Sequence, residues 1–64
     1  MTDAEARVRL ASVLEASFNA LDHAEPDVDE LLAAIENPAT RLTVTDHIAD
    51  VIAAMIGAVE TLKL

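Results

Sequence analysis

The chain has no cysteine, tryptophan or tyrosine, and only one glycine, one phenylalanine and one lysine among its 64 residues. Each shortage removes a class of function. Without cysteine there is neither a disulfide nor a thiolate metal site, and the composition fits a reducing compartment without demanding one. The lone glycine, Gly57, leaves no GxxxxGK[ST] or GxGxxG loop to cradle a phosphate, no nucleophile elbow around Ser12 or Ser17, and no EF-hand loop with its obligatory turn glycine. A core built with Phe18 as its only aromatic side chain must be aliphatic.

Bases are scarce too. Twelve acids against four bases give a formal net charge of −8, which repels DNA, RNA and anionic membranes. Neither nucleic acid nor membrane is therefore expected as a partner. Acids combined with abundant Ala, Val and Thr also suit a protein kept soluble at high salt, although a GC-rich genome would give much the same composition. No charged leader with an apolar core opens the chain, and the longest uncharged apolar run, Val51 to Val59, is far short of the roughly 20 residues that span a bilayer. The expected location is the cytoplasm.

What is present is helical periodicity. From Val44 to Leu62 the large apolar residues recur at i, i+3, i+4 and i+7, which places them on one side of an α-helix. They cover roughly 160° of its circumference, against about 100° for an ordinary surface helix. One neighbouring helix would not cover that arc. Ala49, Ala53 and Gly57 on one flank and Ala54 and Ala58 on the other would allow close approach of other backbones, or are there because alanine is a good helix former.

Upstream, Thr2-Asp3-Ala4-Glu5 matches a capping box, so helix 1 should begin near Asp3 and run to about residue 24. Leu10, Ala11, Val13, Leu14, Phe18 and Leu21 line one face of it, and Val8 alone falls on the polar side. Pro26 cannot continue that helix but suits the first position of the next. Val28, Leu31, Leu32 and Ile35 then make one short stripe, giving a second helix over about 26–36 that Asn37-Pro38 ends. Residues 37–43 read as an extended loop, because Thr40-Arg41-Leu42-Thr43-Val44 alternates like a strand with no second strand to pair with except its copy in another subunit. Thr43 to Asp46 would then cap a third helix over about 44–62.

These elements make a single all-α domain of three helices, long, short and long, with helices 1 and 3 antiparallel and helix 2 across one end. A chain of this length buries only about 60% of the surface its unfolded form exposes, and with no disulfide or metal to staple it, self-association is the expected remedy. A homodimeric helical bundle would absorb the wide apolar arc. Its interface is expected to use Leu14, Phe18 and Leu21 from helix 1. From helix 3 it would take Ile48, Val51, Ile52, Met55, Ile56, Val59 and Leu62.

Candidate chemistry is thin. Asp22-His23 and Asp46-His47 resemble repeated acid–base elements, and His47 with Asp50 has the i, i+3 spacing of two ligands on one helix. A zinc site needs a third protein ligand, which would have to be a carboxylate or come from another subunit. No metal, cofactor or catalytic residue is assigned. Asp22, Glu25, Asp27, Asp29, Glu30 and Glu36 form a run of acids without a base, which is either a solvated face or a surface for a basic partner. The expectation is a non-enzymatic protein-interaction module that works as a homo-oligomer, an adaptor, inhibitor or assembly component. Two alternatives stand beside it: an acidic decoy or regulator using Asp22 to Glu36, and an enzyme subunit sharing His47 and Asp50 with another chain.

Overall fold

The computed structural model describes all 64 residues and is entirely helical. Helix α1 spans Asp3–Asp22, α2 spans Val28–Ala33 and α3 spans Pro38–Leu62. The order long, short, long follows from where the caps fall. Thr2 starts α1 by accepting the Glu5 amide hydrogen on its hydroxyl oxygen at 3.1 Å. The reciprocal arm of a capping box is altered, because the Thr2 hydroxyl points its own proton at the Glu5 carboxylate, 3.4 Å away.

Helix α2 is shorter than the sequence reading over 26–36. Its N-cap is Asp27, whose carboxylate accepts from the Glu30 amide at 2.8 Å, so Pro26 lies in the turn before the helix and not in its first position. Glu25-Pro26 is a cis peptide. Six residues are too few to persist as an isolated helix, and α2 lies against α3.

The larger correction is at α3, which begins at Pro38 and not near Val44, so residues 38–43 are helix and neither loop nor strand. Asn37 is the reason. Its side-chain oxygen accepts from both the Ala39 and the Thr40 amides, at 2.9 and 3.2 Å, and Pro38 follows at the first helical position, where a missing N–H costs nothing. Asn37-Pro38 thus starts α3, while α2 has already ended at Ala33 with Ala34 as its C-cap. The β-branched run stays helical because Arg41 and Val44 extend the spacing of Ile48 and are half-buried with it, and tertiary packing outweighs their local preference. Thr43 therefore caps nothing and lies inside the helix, as does Thr45, whose hydroxyl donates to the Arg41 carbonyl at 2.7 Å.

Helices α1 and α3 run antiparallel. Leu14 and Phe18 line one stretch of the surface between the helices with Met55 and Val59, Phe18 and Leu21 line the next with Ile48 and Ile52, and Lys63 reaches Glu15 at 3.1 Å. The half-buried stripe of α3 is Arg41, Val44, Ile48, Ile52, Met55, Val59 and Leu62, and that of α1 is Leu14, Phe18 and Leu21 beside the buried Ala11. The Arg41 guanidinium also donates to the Ile35 carbonyl at 3.0 Å, tying the exit of α2 to the start of α3.

The result is a long, thin hairpin measuring 48 × 21 × 15 Å, with a radius of gyration of 14.8 Å. A compact domain of this length has a radius near 11 Å. Ala11 is the one buried residue, so the hairpin has a contact line between two helices and no enclosed core.

Candidate functional site

The geometry of an antiparallel pair sorts the remaining residues. Each residue turns about 100° around its helix, and when two helices face each other head to tail, rotation in the same sense leads to the same side of the pair. The hairpin therefore has two sides, and they differ in chemistry.

One side is a groove with charged edges. Phe18, Leu21, Ile48 and Ile52 floor its first part, where Val28 and Leu32 of α2 close one wall and Asp22, Asp27 and Asp29 stand at the rim; the cleft holds about 430 Å³. Farther along, Leu14, Phe18, Met55 and Val59 form the floor of a shallower stretch of about 400 Å³. Its edges are Glu15 and Asn19 on α1 and Ile56, Glu60 and Lys63 on α3. Several of these acids already have local work. Asp27 caps α2, Asp29 and Glu30 occupy its first turn at the positive end of the helix dipole, and Glu15 pairs with Lys63.

The other side carries no ionisable residue along the middle of the hairpin; those at its ends are His47 at one and the Asp3–Arg7 ion pair at the other. On α1 it presents Ala6, Leu10, Val13 and Ser17; on α3 it presents Val51, Ala54 and Ala58. Leu10, Val13 and Val51 are 50%, 60% and 52% exposed. The Ser17 hydroxyl donates to the Val13 carbonyl at 3.0 Å, and the Thr61 hydroxyl at the margin donates to the Gly57 carbonyl at 2.8 Å. Both hydroxyls are satisfied within their own helices, so covering this side strands no donor.

The residues expected at a dimer interface divide between these surroundings. Leu14, Phe18, Leu21, Ile48, Ile52, Met55, Val59 and Leu62 are half-buried along the line where α1 meets α3, so a single chain already occupies part of each. Val51 and Ile56 are exposed, on opposite sides of that line. The single wide arc read from the sequence is thus a contact line with exposed apolar residues on either flank.

No three His, Asp or Glu side chains converge on a point that could hold a metal ion. His23 lies 3.8 Å from its neighbour Asp22 with most of its ring exposed, and His47 and Asp50 are exposed on α3. Helix α3 is long and apolar enough, by length and composition, to cross a membrane, and nothing in its most apolar window is buried. Asp50 stands at its midpoint and Asp46 one turn earlier.

Comparison with known proteins finds no family model that matches this chain, and no curated protein or solved structure similar to it.

Proposed function

We propose that this chain is a non-enzymatic protein-interaction module that works as a helical homo-oligomer in the cytoplasm. The observation that carries the reading is the surface left open. A compact monomer of 6.8 kDa exposes about 4,000 Å², from the scaling of area with mass, whereas this chain exposes 4929 Å². The excess of about 1,000 Å² is comparable to what one partner contributes to an ordinary stable interface, near 800 Å². With one residue buried, a lone hairpin has little to set against the conformational entropy of ordering 64 residues.

The dispersal of His and carboxylate side chains over exposed surface favours binding over catalysis. A soluble partner suits α3 better than a bilayer does, because Asp50 and Asp46 near its middle would each cost about 2.5–3.5 kcal/mol in hydrocarbon. The acid-rimmed cleft supports a narrower second reading. Its apolar floor with Asp22, Asp27 and Asp29 at the edge suits the apolar side chains of a basic amphipathic helix, as a regulator of a basic protein would require.

Light scattering and circular dichroism on a dilution series test the main reading. The expected result is a mass that is a small multiple of the chain mass, with helicity falling in step with dissociation. A fully helical monomer throughout the series would overturn it. Strong helicity appearing only with lipid vesicles would overturn it in favour of the membrane.

A further inference from the structure

On the reading of the chain as a self-associating module, we propose that two copies meet through the uncharged side of the α1–α3 hairpin, as an isologous four-helix bundle. The seam is written in heptads. On α3, Val44, Ile48, Val51, Met55, Ala58 and Leu62 follow steps of four, three, four, three and four. On α1, Leu10, Leu14, Ser17 and Leu21 follow steps of four, three and four. Such steps mark the line on which helices of a left-handed bundle interlock. Both lines point about 45° away from the α1–α3 contact toward the same side, which is where a corner helix of a four-helix bundle must point.

The opposite side has steps of similar spacing, but Glu15 and Asp22 interrupt them on α1 and Lys63 ends them on α3. Helix α2 also covers part of that side. A bundle core there would bury charges, each strongly destabilising where it lacks a partner. Between Leu10 and Leu21 the uncharged seam asks for no such burial, and the charges that continue its line, Arg7 and Asp3, pair with each other at its exposed end. Its small residues, Ser17 and Ala58, let the backbones approach, and the Ser17 hydroxyl is already bonded within its helix.

Charge also selects the occupant. A basic partner gains nothing from a side without carboxylates. A second copy of net charge −8 is repelled by the acidic surfaces and can approach closely only where both chains are neutral. That condition brings the same patch of each chain together, which is the definition of an isologous interface. The chain as a whole exposes about 1,000 Å² more than a compact monomer of its mass, comparable to one partner's share of a standard interface.

Two alanine substitutions separate the sides. Ala58 lies on the uncharged side and Ala49 at the edge of the acid-rimmed cleft, both exposed in the single chain. Mass by light scattering is measured for the parent, Ala58→Glu and Ala49→Glu at about 0.15 M salt, where screening acts within roughly 8 Å. The expected outcome is a parent and Ala49→Glu at twice the chain mass, with Ala58→Glu dissociating at least about a hundredfold more readily. If Ala58→Glu loses its helicity, an equimolar mixture with Ala58→Lys decides: recovery of helicity and of the doubled mass upholds the seam, and no recovery overturns it. Dissociation of Ala49→Glu, alone or equally with Ala58→Glu, overturns the choice of side and leaves self-association standing. A helical monomer for the parent overturns self-association itself.

Discussion

The two sides of the hairpin are built from the same two helices and bury comparable apolar side chains along their shared line, yet one is edged by carboxylates and the other is neutral. The difference arises from a few positions. On α1, Glu15, Asn19 and Asp22 fall on one flank, and Leu10, Val13 and Ser17 fall on the other at the same angular distance from α3. A helix that had only to stay soluble while packing on one neighbour would carry charge on both flanks. Keeping one flank neutral in a chain with 12 acids is therefore a constraint that solubility does not explain. The proposed interface on that flank would explain it.

The comparison breaks most readily at Leu10 and Val8, two exposed apolar residues of α1 that lie on opposite flanks, 50% and 71% exposed in the single chain. In an isolated hairpin both truncations to alanine would be nearly neutral, because surface substitutions away from special features stay within about 0.5 kcal/mol. With the neutral side covered by a second copy, Leu10→Ala should destabilise by about 1–2 kcal/mol per chain, below the 2–5 kcal/mol of a fully buried leucine. Val8→Ala should be neutral, or slightly stabilising through better helix propensity. Urea unfolding at one fixed protein concentration measures both. Equal, small effects would erase the distinction between the flanks.

How much of this could be read from the sequence depends on what kind of signal marks each feature. The three helices and their antiparallel pairing follow from apolar spacing and from Thr2, and those signals are strong because each rests on several residues acting together. The start of α3 was hidden by a dipeptide with two meanings. Asn37-Pro38 reads as the end of the preceding helix but caps the following one, α2 having already ended at Ala33, and the β-branched residues that follow favour the strand reading when taken locally. Only the half-burial of Arg41 and Val44 along the line of Ile48 shows which meaning holds. The seam proposed on the neutral side is hard to read from the sequence for another reason. Two of its key positions, Ser17 and Ala58, are small and weakly apolar, so a search for large apolar residues passes over them and merges two seams into one arc.

Asn37 tests the missed element directly. Its side-chain oxygen satisfies two amides that α3 would otherwise leave open, Ala39 and Thr40. Asn37→Ala should cost about 1 kcal/mol. The loss should be concentrated in the first turns of α3, where α2 packs, and spare the neutral seam, which lies mostly beyond Val44. Hydrogen exchange would show it as faster exchange at residues 39–45 with little change beyond Val51. Uniform acceleration along α3 would mean that the cleft side and the neutral side are not separable units of stability.

The smallest expected effect concerns a position that belongs to neither side. Gly57 lies on the back of α3, away from α1, and a methyl group placed there meets no atom within 4 Å. Glycine inside a helix costs roughly 0.5–1 kcal/mol relative to alanine, through the freedom it loses on folding. With no close neighbour to accommodate, Gly57→Ala should raise stability by about that amount and leave the mass in solution unchanged. The thermal midpoint and light scattering together read the outcome. A loss of stability would mean that another surface approaches the back of α3 closely enough to exclude a methyl group. Two sides would then be too few, and α3 would be enclosed in a larger assembly than two hairpins can make.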